Sequence, residues 1–352
     1  MKTEILKRPR FSSGSLARAG SLASALAVAC LGATSALQAA VLDTLGGGPL
    51  QGFPNPYGYL DGNTFQLSQF NYPAGIALNT ACTTLYLADC TNDAVRKISQ
   101  VGNTASSVTS TFANTNTGIS RPVAIAVDAG DKIYVLNRGN GNNGTLLTYN
   151  TFGNPLGAKA GNLTNATAIA LDGSTNVFIT IRSITVVRIN STSTNVVGVI
   201  TNAGTYLKGI AVLDTGLLAL SDAGNHGIWL LNPANGTHSQ LTGFHGAGDT
   251  FGDPAFAQFR SPEMIAKAGG GMLVVADRGN HRVKTVDAFG VVRNLYGVSS
   301  AYWVTEVPYP GWWDGTVCEE DLRGCPEGRE PVGIAVAPNG NVYSTEVYYH
   351  LF

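Results

Sequence analysis

A short phrase of small and aliphatic residues recurs six times along the chain, and no other feature constrains the fold as strongly. Its clearest copy begins at Pro73 and reads Pro-Ala-Gly-Ile-Ala-Leu. The shared isoleucines of the six copies are Ile76, Ile125, Ile169, Ile210, Ile265 and Ile334. Their spacings of 49, 44, 41, 55 and 69 residues indicate a repeated unit, and a propeller blade of four strands has about this length. Six copies predict six blades.

Each repeat has the composition of a small antiparallel sheet. The phrase is too short for a helix and is bounded by Pro or Gly, which favours a strand buried on both faces. A second run follows, rich in β-branched and aromatic residues, as at 85–87 and 133–135. A polar Asp-x-Gly-Asn-His turn is clearest at 222–226 and 277–281, where Asp accepts backbone N–H groups and Gly allows a positive φ. A third run and a weaker fourth complete the unit.

The succession Pro-x-Gly-Ile-Ala, Leu-Tyr-Leu-Ala-Asp and Asp-x-Gly-Asn-His-Arg-Val resembles the NHL repeat. The resemblance implies a six-bladed β-propeller and covers residues 41–352. It is weakest in the third repeat, where 179–184 lacks the Asp-Gly-Asn turn. We therefore expect an all-β domain over 40–352.

The two ends of the chain are expected to complete one blade together. The last repeat ends at 348–352 and supplies three strands without a fourth. Residues 40–45 resemble an outer strand, and pairing this N-terminal strand with the last blade closes the ring and leaves no long open edge.

Residues 1–39 have the layout of a secretory signal peptide. Lys and Arg residues precede an Ala/Leu/Val-rich stretch at 22–36, and a small residue, Ala39, precedes the predicted cleavage site. A lipoprotein signal ending at Cys30 is the alternative. No other run reaches the roughly 18 apolar residues of a spanning helix. The prediction is a secreted or periplasmic protein without a membrane span.

The cysteine count agrees with export. Four of the five cysteines remain once Cys30 is set aside, and they form two local pairs, Cys82 with Cys90 and Cys318 with Cys325. Neither pair has the C-x-x-C spacing common in zinc sites. Two disulfide bonds are predicted, and no metal site.

Charge limits the class of partner. The chain has 22 Lys and Arg and 23 Asp and Glu residues, and five of the basic but one of the acidic residues precede Ala40. The remaining chain carries a net charge of about −5. Nucleic-acid-binding proteins have a basic surface, so this charge disfavours a nucleic acid as the partner.

Three long loops lead into neighbouring blades and are candidates for a binding surface. These leading loops span 46–72, 243–261 and 297–330, and loops of this length are often functional. The third contains the candidate binding residues Trp303, Tyr309, Trp312 and Trp313. Rigid aromatic rings suit recognition of a protein or glycan; the alternative is that they cap the two adjacent blades. Phe70 and Phe259 recur in the first two loops and are expected to anchor them.

Enzyme function has little support in the sequence. Peptide-amidating lyases, which are similar propellers, bind zinc through histidines at the variable position of the phrase, and no histidine occupies it here. That position holds Lys208 and Glu263 in the fourth and fifth repeats, at the expected mouth of the central channel. Glu263 is the one residue there that matches the acidic ligands of lactonase-like propellers. His226 and His281 belong to the repeat turn and are expected to be structural.

The sequence therefore predicts a non-enzymatic propeller that binds a protein or glycan through its leading loops, without a cofactor. The alternative is a lactonase-like or lyase-like enzyme with a metal in the central channel. A third possibility is a structural domain of an envelope assembly.

Overall fold

The computed structural model describes the repeat region together with short segments from each end of the chain. The described residues are 25–30, 41–46, 58–64, 68–101, 106–139, 143–173, 175–181, 183–190, 193–297, 315–316 and 330–347, with backbone alone at 25–30, 41–46 and 315–316.

These residues form an all-β propeller. Two strands, β1 (Ala25–Cys30) and β2 (Val41–Gly46), precede the repeats, and the two-residue strand β3 (Gly62–Asn63) follows. The first blade comprises β4 (Pro73–Leu78), β5 (Thr84–Asp89), β6 (Ala94–Ser99) and β7 (Val108–Ala113). The second comprises β8 (Pro122–Val127), β9 (Ile133–Asn137), β10 (Thr145–Tyr149) and β11 (Pro155–Ala160).

The next three blades repeat this order. The third comprises β12 (Ala168–Leu171), β13 (Val177–Ile181), β14 (Thr185–Ile189) and β15 (Thr194–Val199). The fourth comprises β16 (Leu207–Val212), β17 (Leu218–Asp222), β18 (Gly227–Leu231) and β19 (His238–Thr242). The fifth comprises β20 (Pro262–Lys267), β21 (Leu273–Asp277), β22 (Arg282–Val286) and β23 (Val292–Gly297).

The remaining strands are β24 (Gly315–Thr316), β25 (Pro331–Val336) and β26 (Asn341–Glu346). Helical structure within the described ranges consists of four single 3-10 turns, at Cys90–Asn92, Thr115–Thr117, Gly269–Gly271 and Arg278–Asn280. No helix in this part of the chain is long and apolar enough to cross a membrane.

The predicted propeller class is confirmed. Six blades of four strands were predicted, whereas five blades each contain four consecutive strands of one repeat. The sixth sheet has the order β24-β2-β1-β26-β25 and combines strands from both ends of the chain. In the described residues the last repeat contributes two of these strands, not three, and 348–352 lies outside them. The sheet of the first blade gains β3 beside its outer strand β7.

The N-terminal contribution to the sixth sheet also differs from the prediction. Val41–Gly46 does join this sheet, but β1 lies between it and the last repeat, with Val28 opposite both Tyr343 and Asp43. Ala25–Cys30 falls within the segment predicted as a signal peptide, so β1 was not expected.

The first strands of the repeats form the inner ring of the molecule. Contacts run in the order β4, β8, β12, β16, β20, β25 and back to β4. Small residues are needed here because the strands approach closely: a Cβ on Gly75 would lie 2.7 Å from the Ala124 Cα, and one on Gly333 would lie 2.2 Å from the Ala74 oxygen. The apolar core lies between successive blades, where Tyr86 of the first packs in one cluster with Val135 of the second.

Candidate functional site

A cavity of about 360 Å3 lies at the centre of the ring, where the inner strands begin. The variable residue of the repeated phrase lines it in all six repeats: Ala74, Val123, Thr167, Lys208, Glu263 and Val332. The structure thus brings Lys208 and Glu263 together at the mouth of the channel, the place where the sequence analysis put them.

Irregular strand pairing accompanies this arrangement. The register between the first two strands of a blade shifts between Pro73 and Ile76 in the first repeat and between Pro262 and Ile265 in the fifth. An extra residue in one strand of an antiparallel pair re-aims its side chain. The bulge therefore accounts for a variable residue that faces the channel rather than the neighbouring blade.

Two further repeat positions line the cavity, and the sequence analysis missed both. One directly precedes the phrase and is occupied by Tyr72, Arg121 and Tyr206. The other directly follows the second strand and is occupied by Cys90 and Arg138. Because the first residue of strand one pairs with the last of strand two, as in Pro122 with Asn137, both positions meet at the same rim.

The turn histidines hold the residue before the phrase in place. Ser261 and Glu330 have left-handed backbones, with φ of 49° and 46°. Their N–H groups donate to Nδ1 of His226 at 3.1 Å and of His281 at 3.2 Å, respectively. Each histidine therefore joins its turn to the start of the next blade, which confirms the predicted structural role.

Glu263 is held in a chain of alternating charges. Its carboxylate lies 3.3 Å from the Lys208 Nζ and 3.2 Å from the Arg278 Nη1, and a second nitrogen of Arg278 lies 3.0 Å from Glu330. Glu263 is buried and its charge is compensated from two sides. These two cations and two carboxylates balance one another.

Arg121 and Arg138 add positive charge to the cavity lining. Among the described residues neither guanidinium forms an ion pair, whereas both act electrostatically on the thiol of Cys90. Burial raises the pKa of this thiol, and the two arginines offset the effect only in part. The thiol is therefore neutral at neutral pH and supplies no negative charge to the two arginines.

The first two leading loops are anchored by buried charges and rings. Phe70 and Phe259 are buried, as expected, and lie against the cations of Arg96 and Lys284 at 5.3 and 5.1 Å from the ring centres. Arg96 also donates to the Gln69 oxygen at 2.9 Å. These residues stabilise the loops and do not reach the cavity.

The predicted Cys82–Cys90 disulfide is wrong, because both cysteines are free. Cys82 precedes β5 and Cys90 directly follows it, so the whole strand separates them. Six strand residues span roughly 20 Å, whereas the Cα atoms of a disulfide lie about 4.4–6.8 Å apart.

Several candidates lie outside the described residues: Trp303, Tyr309, Trp312, Trp313, Cys318 and Cys325. In the part of the chain that is described, no three His, Cys, Asp or Glu side chains are grouped so as to hold a metal ion.

Comparison with known proteins extends the description of the fold. No family model matches the chain, and no curated protein matches it. Among solved structures, auxiliary nutrient binding proteins from Bacteroides ovatus and Bacteroides thetaiotaomicron share 17% identity, with TM-scores of 0.64 and 0.63, and each match covers 92% of this chain and 76% of the other. Virginiamycin B lyase from Staphylococcus aureus shares 11% identity with a TM-score of 0.51, covering 82% of this chain and 98% of the other. At these identities the likeness concerns the propeller fold.

Proposed function

We propose that the protein is a non-enzymatic binding propeller that takes a glycan or a segment of a protein in the channel-mouth cavity, on the face of the leading loops. The convergence of three repeat positions on one cavity carries this proposal. The volume of about 360 Å3 lies within the range of small-ligand sites. Tyr72, Tyr206 and four cationic side chains at or beside the cavity supply stacking surfaces and hydrogen-bond donors.

The proposed setting is extracytoplasmic. The basic and apolar N-terminal segment favours export, and the resemblance to secreted NHL-repeat proteins agrees with it. The shared fold with nutrient binding proteins of Bacteroides adds support for a binding role. In this proposal the composite sheet of β1, β2, β25 and β26 serves as the sixth blade.

The third leading loop is proposed to extend the binding face. Its candidate residues Trp303, Tyr309, Trp312 and Trp313 are rigid rings of the kind that dominates recognition surfaces. The remaining cysteine pair, Cys318 and Cys325, is proposed to close this loop by a disulfide.

Catalysis through the channel is the less favoured function. Glu263 is the acidic side chain best placed to serve a lactonase-like or lyase-like reaction. Its carboxylate is already engaged by Lys208 and Arg278, so the contacts favour a structural role for it.

The proposal is tested by filling the cavity. Thr91 lines the cavity and its side chain is exposed, so Thr91→Trp introduces a bulky ring without removing a buried contact. Thr215→Trp is the matched control, because Thr215 is exposed in the turn between β16 and β17, at the opposite end of the strands. Both variants and the parent chain are applied to glycan and peptide arrays.

We expect Thr91→Trp to lose at least tenfold in signal on the arrayed compounds that the parent chain retains, and Thr215→Trp to match the parent. Equal signals from Thr91→Trp and the parent would place binding outside the cavity and contradict the proposal. Trp312→Ala with Trp313→Ala then tests whether the third leading loop contributes to the same signal.

A further inference from the structure

The two arginines that line the cavity, Arg121 and Arg138, differ in one respect from the other cations at or beside it. The side chains of Lys208 and Arg278 form ion pairs with carboxylates, whereas the guanidinium groups of Arg121 and Arg138 form no ion pair among the residues described. The chain as a whole is not basic: Asp and Glu outnumber Lys and Arg, 23 to 22. Two guanidinium groups at one rim, without an ion pair to any described residue, are therefore a local property of this site.

The backbone places these two arginines side by side. The Arg138 N–H donates to the Arg121 oxygen at 3.0 Å, so the two side chains leave the rim from hydrogen-bonded neighbours. Arg121 is fixed further by a left-handed backbone with φ of 47° and by its N–H, which donates to the Asp93 carboxylate at 2.6 Å. Asp93 takes the position that His226 and His281 occupy in their repeats.

The surroundings of the pair leave its charge available to a ligand. The Asp93 carboxylate accepts from the backbone of Arg121, and no ion pair joins it to either guanidinium in the described part of the chain. The Cys90 thiol, which forms a side-chain hydrogen bond with Arg121, stays protonated because burial raises its pKa. Both arginine side chains are exposed toward solvent rather than packed away.

Guanidinium groups bind oxyanions in a planar, often bidentate geometry. We propose that Arg121 and Arg138 form the anion-binding part of the cavity and that its ligand is a small molecule carrying a carboxylate, sulfate or phosphate. The hydroxyl of Thr91 and the ring of Tyr72 line the same cavity and suit the polar body of a sugar. This inference rests on the proposed function and specifies the chemistry of its ligand.

The experiment uses one sugar in four forms. Glucuronate, glucose 6-sulfate, glucose 6-phosphate and neutral glucose are titrated calorimetrically into the full chain at low ionic strength. We expect at least one anionic form to bind at least tenfold more tightly than glucose, and the form that binds identifies the oxyanion. Added salt should weaken this binding, because part of the attraction is between charges.

Substitution then assigns the interaction to the two arginines. Arg121→Gln with Arg138→Gln should weaken binding of that anion at least tenfold. Arg293→Gln is the matched control, since this exposed arginine lies on the outer strand β23 and pairs with Asp287. Thermal unfolding checks that the double variant is folded, and Arg138→Gln alone replaces it if it is not.

Thiol labelling gives a readout that is independent of affinity measurement. Cys90 lines the cavity and Cys82 lies outside it, so a bound anion should slow maleimide labelling of Cys90 and leave Cys82 unchanged, as peptide mass spectrometry reports.

Two results would overturn the inference: equal affinity for glucose and the anions, or failure of all three anions to bind. Unchanged affinity in the double variant would also exclude these arginines. The proposed function would survive any of these results if Thr91→Trp still abolished array binding, so the two failures are distinguishable.

Discussion

Some of the charged residues of this propeller are fully buried and lie apart from the cavity. Lys284 and Asp277 are both fully buried, with 2.6 Å between the Lys284 Nζ and the Asp277 Oδ2, and Lys284 also lies 2.9 Å from Asp249. Asp277 accepts further hydrogen bonds from the Arg260 N–H and from Asn280. This network ties the second leading loop to the fifth blade, so its charges serve stability rather than ligand binding.

Removing the buried cation should be costly. Lys284→Met leaves the Asp277 carboxylate buried without its closest positive charge, and we expect a loss of about 3–5 kcal/mol in the free energy of unfolding. Lys267→Met is the matched control, since its ion pair with Asp214 is exposed and such pairs contribute roughly 0–1 kcal/mol. Urea unfolding measures both values. If both variants lost the same free energy of unfolding, the buried network would contribute no more to stability than the exposed ion pair.

The same variant has a defined pH dependence. Burial raises the pKa of Asp277, and Lys284 is the main group that lowers it, so the pKa should rise further in Lys284→Met. A carboxyl whose folded pKa exceeds its unfolded pKa destabilises the fold when ionised, and protonation removes this penalty. The difference in the free energy of unfolding between Lys284→Met and the parent chain should therefore become smaller as the pH falls below neutrality. A gap that widens on acidification would contradict this assignment.

Single residues of the site were predictable only where they lie inside the repeated phrase. Lys208 and Glu263 follow the first residue of a recognisable phrase, so their position at the channel could be predicted. Arg121 and Arg138 lie just outside the recurring pattern of their repeat, and the same positions hold Tyr72 and Cys90 in the first repeat. Their proximity depends on strand pairing, which composition does not reveal.

At the scale of elements, the inner strands determine how closely the blades approach. The Thr345 hydroxyl donates to the Ala74 oxygen at 2.8 Å and links the last repeat to the first. Such contacts require backbones that nearly touch, which explains the small residues of the phrase.

An added methyl group should disrupt this packing. Gly75→Ala would place a Cβ 2.7 Å from the Ala124 Cα. We expect the free energy of unfolding to fall by about 1–3 kcal/mol, the usual cost of overpacking. Gly161→Ala is the matched control, because its Cβ would meet no atom within 4 Å. Chemical unfolding compares the two. If Gly75→Ala left the free energy of unfolding unchanged, the inner strands would be able to move apart without loss of stability.

The elements differ in how far their sequence determines them. Five blades were predictable because each contains a phrase followed by a second run in fixed order, and the polar turn follows in all but the degenerate third repeat. The composite sheet was not predictable, because its strand Ala25–Cys30 is a short run of small apolar residues. Such a run suits both a buried strand and the apolar region of a signal peptide, and local composition does not separate the two.

At the scale of the whole molecule, ring closure depends on strands that are far apart in the chain. The buried Tyr296 hydroxyl of the fifth blade contacts Ser344 and lies 3.1 Å from Glu346 of β26. Within its own sheet β26 lies between β25 and β1, and it pairs along its full length with β1, from Ala25 opposite Glu346 to Cys30 opposite Asn341. Cleavage after residue 39, as the proposed signal peptide requires, would remove β1 and leave this edge open.

The closure of the exported form can be tested directly. We expect a chain that begins at Ala40 to fold with β2 in the place of β1, because both strands have six residues and an open edge exposes unpaired backbone groups. Hydrogen exchange of the peptide 341–346 measures this, since its amides stay protected if β2 pairs with β26. The inner-strand peptide 331–336 is the internal control and should be protected in both chains. Rapid exchange of 341–346 alone would show that closure requires β1. Signal cleavage after residue 39 would then be incompatible with a closed propeller, and the segment 25–30 would have to remain in the working protein.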